Sequence, residues 1–323
     1  MIENPQIIFF GTPDFAVASL KALVTAGLNV VAVVTAVDKP AGRGLKPKPS
    51  PVKEYAETVK IPILQPANLK DPGFLAELSS FHPDLQIVIA FRMLPRQVWE
   101  LPRMGTFNLH ASLLPQYRGA APINRAVMNG ETETGITTFF LNEHIDAGKI
   151  ILSRIFPIGA EETAGILHDR LMVAGARLVV ETVDLIRSGS VSETSQESSA
   201  TDLQKLKTAP KIFKEDCRID WSRNGGSVFN FIRGLSPYPG AFTSFTGKDC
   251  INYDIKILKA APVFCSHNFK PGSFFKSEKT QLIVTTPDGW LRILELQLQG
   301  RKVMSTGDFM RGYGYLFSEM QVI

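Results

Sequence analysis

Cysteine is scarce. The chain has three in 323 residues, Cys217, Cys250 and Cys265, all in its C-terminal half and none in a C-x-x-C pair. A disulfide framework or thiolate zinc site is therefore disfavoured, and a reducing, cytoplasmic setting is expected. Long apolar runs are missing too, with nothing near the ~20 residues of a membrane span. The opening Met1-Ile2-Glu3-Asn4-Pro5 has neither a basic n-region nor an Arg/Ser-rich presequence, so no export or transit signal is expected. The chain also lacks G-x-G-x-x-G, H-x-x-x-H and G-x-S-x-G. These absences disfavour, in turn, a dinucleotide dehydrogenase, a compact metal site and a serine hydrolase. There is no internal repeat and no low-complexity tract.

What is present describes an ordinary globular chain, 44% hydrophobic and 20% charged. Its length passes the ~250–300 residues at which single cores tend to split, so two domains are expected. Net charge is only +4, but it is unevenly spread. From Pro210 onward there are 15 basic against 10 acidic residues, and before it 20 against 21. A basic C-terminal part suggests an anionic partner.

Gln6-Ile7-Ile8-Phe9-Phe10-Gly11 is a continuous apolar run and reads as a buried parallel strand. Thr12 then reads as an N-cap, with Pro13 at the first helical position and Gly27 at the end of the helix. Asn29 to Ala36 is a second strand. This strand–helix–strand opening predicts a doubly wound α/β domain with a mostly parallel, Rossmann-like sheet over residues 1–189. Residues 37–51 carry Lys39, Arg43, Lys46 and Lys48 among prolines and glycines, and read as an irregular basic loop suited to phosphates. Residues 190–209 are rich in Ser, Thr, Gln and Glu and read as a linker. From 210 to 323 short apolar runs alternate with turn signals, as in a small OB-like β-barrel.

The chemistry concentrates in Gly105-Thr-Phe-Asn108-Leu-His110-Ala-Ser112-Leu113-Leu114-Pro115. On an extended chain Asn108 and His110 point to one face. An amide and an imidazole side by side can grip a developing oxyanion, or can simply brace a sheet end. Asp146 lies in the polar loop Asn142 to Gly148, where it can reach the carboxyl end of the sheet and orient His110.

These residues carry a resemblance. Asn108-x-His110-x-Ser112-Leu-Leu-Pro115, then Tyr117-Arg-Gly-Ala-Ala-Pro122, then Asp146-x-Gly148, resemble the folate-dependent formyltransferase superfamily. Lys39-Pro-Ala-Gly-Arg43-Gly, Pro49-Ser-Pro-Val-Lys53, Arg218-Ile-Asp-Trp221 and Gly300-Arg-Lys-Val-Met-Ser305 are similar to the branch that acts on aminoacylated tRNA. The resemblance implies transfer of a formyl group from 10-formyltetrahydrofolate to the amine of initiator methionyl-tRNA, by a monomer needing neither metal nor membrane. It implies catalysis by Asn108, His110 and Asp146, and a folate site lined by Ser112, Leu113, Leu114 and Pro115. It further implies tRNA contacts from Lys39, Arg43, Lys46 and Lys48 and from a basic C-terminal barrel. Ala90-Phe91-Arg92-Met93-Leu94-Pro95 departs from the pattern beside the expected folate pocket. A formyltransferase for an amino-sugar nucleotide or a ribonucleotide would share the three catalytic residues. A tRNA-binding protein without activity, or a hydrolase of the folate, are more distant alternatives.

Overall fold

The structure, a computed structural model, describes residues 4–41, 46–199, 206–277 and 280–319. The chain divides into two compact units. The first comprises Met1–Gly119, Thr134–Phe156 and His168–Thr208, and the second Ala120–Glu133, Pro157–Leu167 and Ala209–Ile323.

Up to residue 209 the elements run β1 (Ile7–Gly11), α1 (Asp14–Thr25), β2 (Val30–Val34), β3 (Lys39–Ala41), β4 (Lys46–Lys48), α2 (Pro51–Thr58), β5 (Ile63–Leu64), α3 (Pro72–Ser80), β6 (Leu85–Ile89), α4 (Arg96–Trp99), β7 (Thr106–His110), β8 (Arg118–Gly119), α5 (Pro122–Met128), β9 (Glu133–Phe140), β10 (Ile150–Pro157), α6 (Ala164–Ser188), α7 (Gln196–Ser199) and β11 (Thr208–Ala209). The main sheet has the order β10-β9-β7-β6-β1-β2-β5. The β1–β2, β1–β6, β2–β5 and β6–β7 pairs are parallel, and β7–β9 is antiparallel. This is the mixed α/β architecture with a mostly parallel sheet that the opening apolar runs require. Every residue of β1 is buried, as expected for a strand covered on both faces. Alternate residues Ile8 and Phe10 join Ala32, Val34, Val88, Phe74 and Leu78 in one core cluster. Full burial of a side chain such as Ile8 or Phe10 contributes roughly 1.5–3 kcal/mol through its removal from water.

Two local expectations are corrected. Thr12 does not cap α1; the flanking residue is Pro13, with no side-chain cap, and the helix begins at Asp14. Residues 37–51 are not wholly irregular, since β3 and β4 pair antiparallel with Pro40 opposite Pro47. Neither proline has an N–H, so this position can only be a non-hydrogen-bonded pair of the ladder, where none is needed. Elsewhere boundaries fall close to those the sequence predicts. Gly27 does end α1 with a φ of +70°, its N–H on Val24 O at 3.0 Å.

The second unit contains α8 (Gly225–Leu235) and α9 (Thr306–Tyr313) with β12 (Ala241–Thr246), β13 (Asn252–Phe264), β14 (Phe274–Ser277), β15 (Gln281–Thr286), β16 (Gly289–Leu298), β17 (Met304–Ser305) and β18 (Ser318–Glu319). Among the described residues the sheet is an open path, β12-β13-β16-β15-β14-β18, with β17 on β16. It is antiparallel except for β14–β18. A register shift around Lys259 bends the long β13. Asn224 caps α8, accepting the Ser227 N–H at 2.8 Å, and Val228, Ile232 and Leu235 of that helix enter a core shared with Ile257, Leu291 and Ile293. Among the described residues no helix is long and apolar enough to cross a membrane.

Candidate active site

Strand β7 is interior to the first sheet, with β6 on one side and β9 on the other. Asn108 stands in register with Val88 and Phe139, and His110 with Thr137. Backbone ladders on both sides thus fix the two side chains on one face at the carboxyl end of a strand, where open α/β sheets present their ligands. Asn108 is half-buried, and its amide makes no hydrogen bond to any other described residue. A half-buried amide without a protein partner is open to water or to a ligand. His110 is buried, with Nε2 2.9 Å from Tyr117 O and Nδ1 3.8 Å from Asp146 Oδ2.

Ser112 to Pro115 follow at once as a compact turn, and the Leu114–Pro115 peptide is cis. The Ser112 hydroxyl is fully buried and donates to Gln116 O at 2.6 Å. Thr137 Oγ1 donates to Ser112 O at 2.7 Å and accepts from Leu114 N at 3.3 Å. Leu114 and Pro115 are buried and Leu113 is half-buried. The hydroxyl of Ser112 therefore shapes the turn, and β9 supports it through Thr137.

Asp146 comes to the same place from the loop joining β9 to β10. Its Oδ2 accepts the Gly119 N–H at 2.9 Å. Its φ is +51°, uncommon for a residue with a side chain, and the next turn of chain is equally constrained. A Cβ at Gly148 would lie 1.6 Å from Phe140 O, so only glycine lets the loop close onto the strand. Gln196, 3% exposed, then braces the loop. Its Nε2 donates to Gly148 O at 2.7 Å and to Asp146 O at 3.0 Å, and Arg118 donates to its Oε1. A second brace lies at Tyr117, whose N–H donates to Lys207 O at 2.7 Å. Asn108 and His110 thus share a strand face, as their spacing predicts, and the Asp146 loop and the 112–115 turn meet the same strand end. Gln196 and Lys207 had no signal in the sequence, because both lie in a Ser/Glu-rich stretch and act through long-range contacts, while Tyr117 belonged to a motif that did not show its bracing role.

The basic hairpin is a separate feature of the same unit. Lys39 and Lys46 lie on its two strands, Lys48 is exposed, and Arg43 lies outside the described residues. Its base is clamped. Lys53 Nζ donates to Asp38 Oδ2 at 2.7 Å and to Gln65 Oε1 at 2.9 Å, while Gln65 Nε2 reaches Asp38 Oδ1 and Ala36 O. The hydrogen bond from Lys53 and then that from Gln65 hold the Asp38 carboxyl below its usual pKa. On the far side Thr35 Oγ1 meets Ser50 Oγ at 2.7 Å.

The 90–95 segment turns through Ala90, at φ +48°. Arg92 is more than surface charge, since it donates to the carbonyls of Ala67 and Pro66. The loop borders a 620 Å³ surface cavity that also involves Asn68, Lys70 and Arg96. In the second unit a 720 Å³ cleft is lined by Lys211, Phe213, Lys214, Tyr238 and Lys256, with Phe213 and Tyr238 exposed. The Lys211 ammonium sits 5.2 Å from the centre of the Phe213 ring. Among the described residues no cluster of His, Cys, Asp and Glu is arranged to hold a metal ion.

The Asn108 amide and the His110–Asp146 pair thus stand at the carboxyl end of a strand, beside a buried turn. Residues 5–183 match the model of the family described as formyl transferase, and residues 211–314 that of its C-terminal domain. The chain belongs to the formyl transferase family. It is 53% identical over 312 residues to the methionyl-tRNA formyltransferase of Parabacteroides distasonis, and 54% identical over 312 residues to that of Phocaeicola vulgatus, with 96% of each chain covered in both cases. Among solved structures, HypX from Aquifex aeolicus in complex with tetrahydrofolic acid aligns with a TM-score of 0.64 at 20% identity, over 99% of this chain and 49% of HypX. The sugar 3N-formyl transferase WlaRD aligns with a TM-score of 0.61 at 18% identity, over 93% of this chain and 100% of its own. At these identities the two structures speak for the fold alone.

Proposed function

We infer that this protein transfers the formyl group of 10-formyltetrahydrofolate to the amino group of initiator methionyl-tRNA. The observation that carries the chemistry is the unpartnered amide of Asn108 beside the His110–Asp146 pair. The full-length similarity to methionyl-tRNA formyltransferases, C-terminal domain included, supports the substrate.

Bound folate supplies the formyl carbon; the chain's own residues do the rest. Asn108 Nδ2 donates to the formyl oxygen as negative charge gathers on it, which lowers the barrier to attack by the methionyl amine. Tyr117 O can only accept, so the His110 Nε2 bears a proton and its Nδ1 offers a lone pair on the side of Asp146. Nδ1 takes the proton that the attacking amine releases, directly or through water, and gives it to the folate nitrogen as the oxyanion collapses and the bond from that nitrogen to the formyl carbon breaks, releasing formylated methionyl-tRNA and tetrahydrofolate. The transient imidazolium lies between two acceptors, Tyr117 O and Asp146, and its charge also favours the oxyanion. The turn from Ser112 to Pro115 lines the folate side.

Residues 1–189 carry the transfer, 190–209 connect, and 210–323 hold the tRNA on a sheet that we read as an OB-like barrel. Lys39, Arg43, Lys46 and Lys48 of the hairpin meet the acceptor end. Lysines and exposed aromatics in the second unit's cleft suit phosphates and unstacked bases. Much of that affinity is electrostatic, so it weakens steeply with salt. On this reading the protein acts in the cytoplasm at the start of translation. The test is formyl transfer to initiator methionyl-tRNA in competition with elongator methionyl-tRNA and amino-sugar nucleotides. Transfer only to a sugar amine overturns the reading.

A further inference from the structure

The amide of Gln196 has both N–H groups and its oxygen committed inside the first unit. Nε2 donates to Gly148 O at 2.7 Å and to Asp146 O at 3.0 Å. Oε1 accepts from Arg118 Nη2 at 2.7 Å and from Arg118 Nε at 3.0 Å. The side chain is 3% exposed, although it belongs to a stretch whose composition is that of a solvated connector. Its placement is secured two residues earlier. Thr194 and Ile150 exchange both backbone hydrogen bonds, at 2.8 and 3.0 Å, which lays the returning chain along the start of β10.

Gln196 thereby joins the two backbone segments that meet at the Asp146 carboxylate. One is 118–119, where Arg118 donates to Gln196 and the Gly119 N–H holds Asp146 Oδ2. The other is 146–148, where both carbonyls flanking Ala147 accept from Gln196. Asp146 needs such support. A non-glycine residue at φ +51° is strained and keeps that conformation only when its surroundings over-determine it. The carboxylate itself is held by one backbone N–H and stands 3.8 Å from His110 Nδ1. A small rotation of the 146–148 backbone would take it out of reach of the imidazole.

We propose that Gln196 is a positioning residue for formyl transfer, holding the Asp146 backbone so that its carboxylate faces His110. The proposal rests on the reading of Asp146 as the catalytic carboxylate. It also separates Gln196 from general packing, because its predicted effect passes through Asp146 alone.

Two variants and a double-mutant cycle test this. Gln196→Met keeps the volume and removes all four hydrogen bonds. Gln196→Glu keeps the acceptor for Arg118 and sets an oxygen against two carbonyl oxygens. Either variant is expected to lower kcat by about ten-fold or more, with KM for folate and for methionyl-tRNA within about two-fold. In the Asp146→Asn background the further loss should vanish, because the residue acted on is already disabled. Circular dichroism and Tm establish that the variants fold, and the Glu variant carries the test if the Met variant does not. Unchanged kcat in both variants, a loss that persists undiminished in the Asp146→Asn background, or a loss carried by KM overturns the proposal and leaves the reading of the site intact. Normal turnover by Asp146→Asn alone overturns both.

Discussion

His110 Nδ1 faces Asp146 Oδ2 across 3.8 Å, while the same ring's Nε2 is tied at 2.9 Å to the carbonyl oxygen of Tyr117. The gap is longer than a hydrogen bond. A proton on Nδ1 would make it a donor toward the carboxylate. Asp146→Asn retains an oxygen for the Gly119 N–H but removes the negative charge that faces Nδ1. The expected result is a kcat lower by roughly 10²–10⁴-fold, the range general acid–base groups contribute, with folate KM little changed. Single-turnover formylation kinetics check it.

Asn108→Ala separates catalysis from stability. The amide has no partner among the described residues, so its loss breaks no internal hydrogen bond. Tm should stay within a few degrees of wild type. Turnover should fall by about 10²–10³-fold, as when one oxyanion donor is removed. A variant with near-normal turnover would remove Asn108 from the mechanism.

Gly148→Ala has the opposite signature. Its Cβ would stand 1.6 Å from Phe140 O, a main-chain atom that cannot step aside without disturbing β9. Stability should drop by more than about 3 kcal/mol, in the range reserved for a few disruptive mechanisms. Urea denaturation measures it, and activity should fall alongside because Asp146 shares the loop.

Lys53→Met opens the base of the hairpin. It removes the bonds to Asp38 and Gln65 while leaving the catalytic residues untouched. The KM for tRNA should rise several-fold, with the KM for 10-formyltetrahydrofolate unchanged. The clamp also has a defined pH range. Asp38 has a folded pKa below its unfolded value of about 3.9, chiefly through the hydrogen bond from Lys53. Its contribution is therefore complete above that unfolded value and disappears only as pH falls through the lower folded one. At neutral pH the clamp is fully charged. In Lys53→Met the Asp38 carboxyl should titrate closer to the ordinary range, as carboxyl carbon NMR would detect.

The placement of the residues proposed for the site was partly legible before the fold was known. Asn108 and His110 share a face because a strand repeats every two residues, and β1 is visible as an apolar run ending in a glycine. Asp146 was marked by its glycine, whose steric need became clear only from the approach of Phe140. The braces were hidden for a physical reason. Gln196 contacts residues 48, 50 and 78 positions away, and no local periodicity records such a bond. The β3–β4 hairpin was masked by its own prolines, which elsewhere argue against pairing. Here they face each other at the one position in the ladder that asks nothing of a missing N–H.

The bond from Tyr117 N to Lys207 O bears on where the polypeptide can be divided. A fragment ending at residue 189 would contain Asn108, His110 and Asp146 and every strand of the main sheet. It would lack Gln196, which steadies the carboxylate, and Lys207, which steadies the carbonyl that selects the imidazole tautomer. A truncated protein intended for soaking with folates or for inhibitor screening should therefore extend to residue 208. The shorter piece would present the same residues with neither the carboxylate nor the imidazole's carbonyl partner anchored.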